Sequence, residues 1–216
     1  MHREAHPNRA VALPVSRRWL VAAPAIVLAA RPAAAQLVPT PRQTRGPFYP
    51  ATRPSDSDLD LTQVAGRPGR ARGEVIEVTG RVLHARSGSL PDATVEIWQA
   101  DADGRYHHPR ESAGAADPNF QGFGAVRSDG NGGYFFRTVR PRFYGSGAGM
   151  RTPHIHFRVL VEGRPELVTQ MYFPGEAMNA RDGLFRSLSD ENARDAVTAR
   201  LEGGAVPRFI FDIVVA

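Results

Sequence analysis

The chain has 216 residues with ordinary hydrophobic (42%) and charged (23%) fractions, enough for one domain with a sizeable core or two small ones. It has no cysteine, which excludes disulfides, thiolate metal sites and a cysteine nucleophile. The net charge is +5, but the arginines after residue 35 are scattered and nearly balanced by acids, so we expect no nucleic-acid partner.

The first 35 residues have the order of features that is typical of an export signal. Arg17 and Arg18 precede a short apolar run over residues 21–30, and three alanines ending at Ala35 offer a cleavage site. This order predicts a twin-arginine signal that is cleaved after Ala35, and therefore a periplasmic or secreted protein. The apolar run is too short to span a bilayer, so no membrane attachment is expected after cleavage. Without a functional leader the protein would stay in the cytoplasm.

Residues 36–73 are rich in proline, arginine, glycine and aspartate. Their turn-prone segment 44–50 (TRGPFYP) predicts an N-terminal arm that wraps around the core. From residue 74 the composition changes to β-branched runs, so a single domain is expected over residues 74–216. Strands are predicted at residues 75–83, 94–100, 133–138, 154–161, 167–173 and 209–214.

Several short strands, turns rich in glycine and proline, and almost no helical periodicity predict an all-β fold. The expected architecture is a β-sandwich with long irregular connections and one short late helix. Ser189 would cap this helix, Ala193, Val197 and Leu201 would share one of its faces, and Gly203 would follow its end.

The segment 151–157 (RTPHIHF) carries the clearest chemical signal. Side chains two residues apart on a strand point to the same side, so His154 and His156 would project together, with Ile155 and Phe157 on the other face. Two adjacent imidazoles form half of a metal site, and imidazole suits zinc, copper, iron and nickel. No carboxylate is spaced to complete a site with two histidines and one carboxylate in an obvious way.

Two tyrosines stand in loops beside predicted strands, where functional side chains are often placed. Tyr106 follows the turn 101–105, and Tyr144 lies ten residues before His154. A phenol has a pKa of about 10, so a tyrosinate ligand is reasonable only beside a strongly acidifying cation such as Fe(III). Two phenolates and two neutral imidazoles would leave a centre of charge +1, which one hydroxide neutralises.

These motifs, in this order, resemble the intradiol ring-cleavage dioxygenases, in particular the protocatechuate 3,4-dioxygenase group. The similarity extends over about residues 44 to 214. The segments that carry it are residues 44–50, 78–108, 117–138, 151–159 and 167–174.

The resemblance implies a non-haem Fe(3+) with four protein ligands: Tyr106, Tyr144, His154 and His156. It also implies that Arg151 lies beside the substrate and stabilises developing negative charge, and that Gln170 lines the substrate pocket. The implied reaction cleaves a catechol-type ring with O2 between its two hydroxylated carbons and gives a cis,cis-muconate-type diacid. Tyr144 would leave the metal as the catechol binds.

Several alternatives stay open at this point. Residues 78–100 also resemble a transthyretin-like module, which would be an exported binding protein without catalysis. An Fe(II) extradiol enzyme is disfavoured because it would need a carboxylate ligand. The protocatechuate enzymes build each site from two chains, which leaves a homo-oligomer open here. The short loop 145–150 borders the expected pocket, so the ring substituent is not determined.

Other polar residues near the motifs have structural interpretations. Asp101 and Asp103 have the spacing of metal ligands, but such a turn more often binds its own backbone. His107 and His108 are expected to be solvated loop residues, and Trp98 is expected in the core.

Overall fold

The computed structural model describes Met1 and residues 37–216. Apart from Met1, the predicted signal over residues 1–35 lies outside the described residues. In the described part the strands are β1 (Val75–His84), β2 (Gly88–Ser89), β3 (Thr94–Trp98), β4 (Phe123–Arg127), β5 (Gly133–Val139), β6 (His154–Leu160), β7 (Leu167–Tyr172), β8 (Arg200–Glu202), β9 (Arg208–Ile210) and β10 (Ile213–Val215). The helices there are α1 (Gly183–Arg186), α2 (Glu191–Asp195) and two 3-10 turns, Gly147–Gly149 and Ala177–Arg181.

The strands form two sheets, and the predicted all-β sandwich is confirmed. One sheet is antiparallel with the order β4-β3-β6-β7. The other is built around the long strand β1, which pairs with β5 in antiparallel fashion and with β9 and β10 in parallel along its two halves. Strand β6 therefore lies in the interior of its sheet, where both neighbours hold its register.

The hydrophobic core lies between the two sheets. Alternate residues of β3 and β6, such as Ile97 and Phe157, face Val78 and Phe136 of the other sheet, and all four are fully buried. Four of the intervening residues are also buried although they point to the opposite face: Glu96, Trp98, His154 and His156. The four-stranded sheet is thus covered on both sides.

The chain N-terminal to β1 provides the second cover. Residues 37–73 contain no strand or helix of the described structure, and they are tied to the sheets by backbone hydrogen bonds. The Gln43 N–H donates to the Val168 carbonyl (2.8 Å), and the Leu61 N–H donates to the Arg137 carbonyl (2.8 Å). The Leu61 side chain enters the core between the sheets. This segment therefore contributes to the packing of both sheets.

The late helix differs from its prediction. The α-helix ends at Asp195, and its cap is Asp190, whose carboxylate accepts the Ala193 N–H, instead of Ser189. Val197 is not helical because its carbonyl accepts the Tyr172 N–H (2.8 Å) and the Ala199 N–H donates to the Tyr172 carbonyl (3.0 Å), which pairs this stretch with the end of β7. Burial and pairing of this segment outweigh its helical periodicity. The structure also adds α1, which was not predicted.

The other differences concern strands at the sheet edges. The predicted strand at 209–214 is interrupted and forms β9 and β10, while β2, β4 and β8 were not predicted. Among the described residues, no helix is long and apolar enough to cross a membrane.

Candidate metal centre

Strand β6 places the two histidines side by side on the face covered by the N-terminal segment. His156 lies opposite Trp98 of β3 and Gln170 of β7, and His154 lies opposite Tyr172. The Nε2 atoms of the two imidazoles are 3.2 Å apart, and the residues are only 2% and 1% exposed. The alternation of β6 thus directs both rings to one buried point.

Both imidazoles are held in the neutral form that a metal requires. The Nδ1 atom of His154 lies 2.6 Å from the Thr152 carbonyl, which can only accept, so Nδ1 carries the proton and Nε2 is left with its lone pair. His156 stacks on the Trp98 indole, with ring centroids 4.7 Å apart. Burial and then the charge of Arg151 lower the pKa of His154 to about 3. Burial also lowers the pKa of His156 well below its ordinary value, helped by His154.

A tight turn after β3 delivers Tyr106. The Asp101 carboxylate accepts the backbone N–H groups of Asp103 and Arg105, each at 2.9 Å, so this turn binds its own backbone. The Tyr106 N–H donates to Glu111 at 3.0 Å. These bonds fix the backbone at Tyr106, and its side chain is 3% exposed.

A closed loop places Tyr144 beside Arg151. The two residues form an antiparallel bridge in which each N–H donates to the other's carbonyl, at 3.2 and 2.8 Å. Gly145 begins the return with φ +76°, and a Cβ atom there would lie 2.4 Å from the Gly149 carbonyl oxygen. The glycine content of the loop 145–150 therefore permits a turn that sets Tyr144 next to Arg151.

The two phenols and two imidazoles converge. The Tyr106 ring lies edge-on to Tyr144 (5.5 Å between centroids) and 6.3 Å from His156, while Tyr144 lies 5.7 Å from His154. The Tyr106 hydroxyl is buried without a hydrogen-bond partner. Burial, and then the neighbouring Tyr144, raise its pKa well above the ordinary value.

This donor set fits a hard, highly charged cation. In the part of the chain that the structure describes, no group of three or more His, Cys, Asp or Glu is arranged to hold a metal, and the oxygen-bearing side chains that pack beside the two imidazoles are the phenols of Tyr106 and Tyr144. A buried hydroxyl without a partner is costly, and a cation that binds the deprotonated phenol removes that cost.

Two nitrogen atoms of the Arg151 guanidinium donate hydrogen bonds that fix its orientation. Its Nε donates to Asp182 (2.8 Å), and its Nη2 donates to the side-chain oxygen of Gln170. Gln170 in turn donates to the Thr44 carbonyl at 3.3 Å. The sequence predicted Arg151 and Gln170 as site residues but not Asp182, which is fully buried and lies far along the chain.

Residues of the N-terminal segment close the site. Phe48 stacks on Tyr106, with centroids 4.5 Å apart, and lies edge-on to Tyr144 at 6.1 Å. Gly46 has φ +69°, and a Cβ atom there would lie 3.4 Å from the His156 ring. Tyr49 meets Trp98 edge-on at 4.9 Å. The turn-prone segment thus lies against Tyr106, Tyr144 and His156.

A charge network centred on the buried Glu96 holds this segment in place. The Glu96 carboxylate accepts from the Tyr49 hydroxyl (2.9 Å) and from Arg158 (3.2 Å). Arg158 also pairs with Glu166 at 2.7 Å, and Glu166 pairs with Arg45 at 2.8 Å. Glu96 on β3 and Glu166 just before β7, joined by Arg158 on β6, therefore hold both ends of the segment that covers the two imidazoles.

The remaining polar candidates have structural partners. His107 Nε2 lies 2.9 Å from the Asp117 carbonyl, and His108 Nδ1 accepts the Arg110 N–H at 3.1 Å. Trp98 is buried on the outer face of its sheet beside His156, in a small cluster separate from the main core. It therefore supports a predicted site residue directly.

Known proteins resemble this chain over most of its length. The family described as Dioxygenase matches residues 44–215. The protocatechuate 3,4-dioxygenase beta chain of Burkholderia cepacia is 39% identical over 183 residues, which are 80% of this chain and 77% of that protein. Catechol 1,2-dioxygenase of Acinetobacter baylyi is 29% identical over 200 residues, which are 81% of this chain but 61% of that protein.

Solved structures agree with the sequence matches. The dioxygenase domain of a dioxygenase carbohydrate-binding protein fusion from Streptomyces sp. SirexAA-E superposes with a TM-score of 0.61 at 30% sequence identity. The match covers 82% of this chain and 98% of that domain.

Proposed function

The chain belongs to the intradiol ring-cleavage dioxygenases, and we propose that it cleaves a catechol-type ring with O2 between the two hydroxylated carbons to give a cis,cis-muconate-type diacid. The observation that carries this proposal is the convergence of two neutral imidazoles and two phenols at one buried point. A transthyretin-like binding module without catalysis gains no support from the family match.

We propose Fe(3+) as the metal, held by Tyr106, Tyr144, His154 and His156. When bound, ferric iron would supply a Lewis acid that the two catechol oxygens chelate and that prepares the ring to react with O2. The chemistry of the donors supports this choice, because the raised pKa of Tyr106 demands a strongly acidifying cation for its deprotonation. Two phenolates also favour a trivalent over a divalent ion.

The two tyrosines have different surroundings, which supports different roles. The Tyr106 hydroxyl is fully buried and Phe48 covers its ring, so it is suited to stay bound. Tyr144 is more exposed and lies beside Arg151. Burial raises the pKa of Tyr144 despite the opposing charge of Arg151, so its phenolate is a strong base. We assign Tyr144 Oη as the acceptor of a proton from a catechol hydroxyl.

Arg151 provides fixed positive charge beside the donors. Its guanidinium is mostly buried and its orientation is set by Asp182 and Gln170. Such a group stabilises a catecholate and the negative charge that develops on the ring during attack. Gln170 holds the guanidinium and is assigned to the substrate pocket. Phe48 excludes water from this side, which strengthens these electrostatic effects.

The proposed partners are a catechol-type small molecule and O2, with no nucleic acid and no membrane. For assembly we propose a homo-oligomer, to be tested by sedimentation. We also keep the proposal of export through residues 1–35. The chain spans 61% of the catechol enzyme's length, so neither that substrate nor protocatechuate is assigned specifically.

Oxygen uptake with product identification tests the proposed function. Iron-loaded protein is mixed with protocatechuate, catechol, hydroxyquinol and a lignin-derived catechol. At least one should consume one O2 per ring and give a muconate-type diacid. His154→Gln should abolish this. His84→Ala is the matched control, because the His84 ring bonds to Ser87, three residues further along the chain, and not to a residue of the site. No uptake with any catechol, or a ring-opened semialdehyde product, would refute the proposal.

A further inference from the structure

Arg151 reaches a carboxylate that the sequence pattern does not connect to the site. Asp182 is fully buried at the start of α1. Its Oδ2 accepts from the Arg151 Nε at 2.8 Å and from the Thr152 backbone N–H at 2.9 Å. The segment that precedes α1 also bonds to Thr152, because the Thr152 hydroxyl donates to the Asn179 side-chain oxygen at 2.9 Å.

The two carboxylate oxygens of Asp182 have separate partners. Oδ1 accepts the backbone N–H groups of Leu184 (2.8 Å) and Phe185 (3.0 Å), and so caps α1. Asp190 caps α2 through Oδ1 alone and is exposed, and in the described part of the chain its carboxylate forms no salt bridge with an arginine. Capping therefore requires only Oδ1, and the bonds of Oδ2 to Arg151 and Thr152 are not needed for the cap.

We propose that Asp182 is the positioning residue for Arg151 in ring cleavage, an inference that rests on the proposed function. An arginine has several rotatable bonds, and a guanidinium acts on developing charge only when its place is fixed in advance. Asp182 holds Nε while Gln170 holds Nη2, so two edges of the plane are set. Although burial acts to raise the pKa of Asp182, the Phe185 N–H and the charge of Arg151 lower it, so the carboxylate stays ionised.

The test compares Asp182→Asn with Asp190→Asn. The amide introduced by Asp182→Asn would keep the size and the capping oxygen but present an N–H₂ group or a neutral oxygen to Arg151. We expect kcat to fall about 10- to 100-fold with a smaller change in KM, because Arg151 acts mainly in the transition state. Asp190→Asn removes the charge of a comparable cap and should leave kcat unchanged. In an Arg151→Gln background, Asp182→Asn should cause little further loss, as expected for residues that act through one another.

A readout in metal-free protein separates positioning from activity. In 15N-labelled wild type, the Arg151 Nε–H should give a shifted NMR resonance that exchanges slowly with water, and Asp182→Asn should abolish both features. An Arg151 Nε–H that exchanges as fast as an exposed arginine would overturn the proposal without any variant. So would a folded Asp182→Asn protein with unchanged kcat. If wild type shows the protected resonance but cleaves no catechol, the proposed function fails and the positioning of Arg151 is supported.

Discussion

Replacing Glu96 by alanine should destabilise the protein and release the segment that covers the metal centre. The Glu96 side chain is 6% exposed, and it is the acceptor for both Tyr49 and Arg158. Without it, Tyr49 loses its anionic partner, and Arg158 keeps only Glu166 as a charged partner.

The magnitude follows from these contacts. Removing one partner of a buried ion pair costs about 3–5 kcal/mol. Arg158 keeps its 2.7 Å pair with Glu166 and is 23% exposed, so water and Glu166 offset part of this loss. We therefore expect about 2–3 kcal/mol of lost stability. For a protein of this size, that corresponds to a fall in Tm of about 4–12 °C.

Thermal unfolding followed by circular dichroism measures this loss. Glu202→Ala is the control, because Glu202 pairs with Arg208 at an exposed position and its removal should shift Tm by less than about 2 °C. Tryptic cleavage after Arg45 should also become faster in Glu96→Ala, because Arg45 lies in the segment that the network holds. A Tm for Glu96→Ala equal to that of the Glu202 control would refute the proposed role of the network.

Three further predictions concern the site and the leader. Gly46→Ala should cost about 1–2 kcal/mol through backbone strain at φ +69° and should weaken metal affinity, because the new Cβ already touches the His156 ring at 3.4 Å and a backbone shift that relieves the strain would displace that ring. In metal-free protein the lowered pKa values leave His154 and His156 neutral when folded, whereas the unfolded chain protonates them below about pH 6.5. The free energy of unfolding measured in urea should therefore be highest above that pH and should fall progressively towards pH 3. Replacing Arg17 and Arg18 by lysine should retain the protein in the cytoplasm, as measured by cell fractionation.

Each of these predictions has a control or a contradicting result. Gly66→Ala introduces similar strain at φ +76° with nothing within 4 Å of the new Cβ, so it should leave metal affinity unchanged. Equal affinities for the Gly46 and Gly66 variants would contradict the contact with His156. A free energy of unfolding that is constant between pH 3 and pH 6.5 would contradict the buried neutral imidazoles. Normal export of the double lysine variant would contradict the twin-arginine signal.

Local patterns made part of this structure predictable. The period of two along β6 was sufficient to place His154 and His156 on one side, because strand alternation does not depend on distant contacts. Both tyrosines stood out by their place in loops beside predicted strands, and their assignment as ligands came from the family resemblance. Their convergence depends on two loops, and spacing alone does not determine how loops return.

Other features depend on tertiary pairing and could not be predicted locally. Asp182 meets Arg151 only because the chain after β7 folds back over the site. In the same way, the stretch around Val197 has helical periodicity but pairs with Tyr172 at the end of β7. For Val197 the competing signal was a short local pattern, a helical face, whereas no local pattern marked Asp182.

The visible absorption spectrum of iron-loaded protein tests the proposed ligand set most directly. We expect a broad phenolate-to-Fe(III) band and a red-brown colour, and Tyr106→Phe and Tyr144→Phe should each alter the band. Tyr134→Phe should leave the band unchanged. Tyr134 belongs to the sheet that does not carry the two histidines, and its hydroxyl donates to the Phe211 carbonyl there. A colourless protein that holds one iron per chain would contradict tyrosinate ligation.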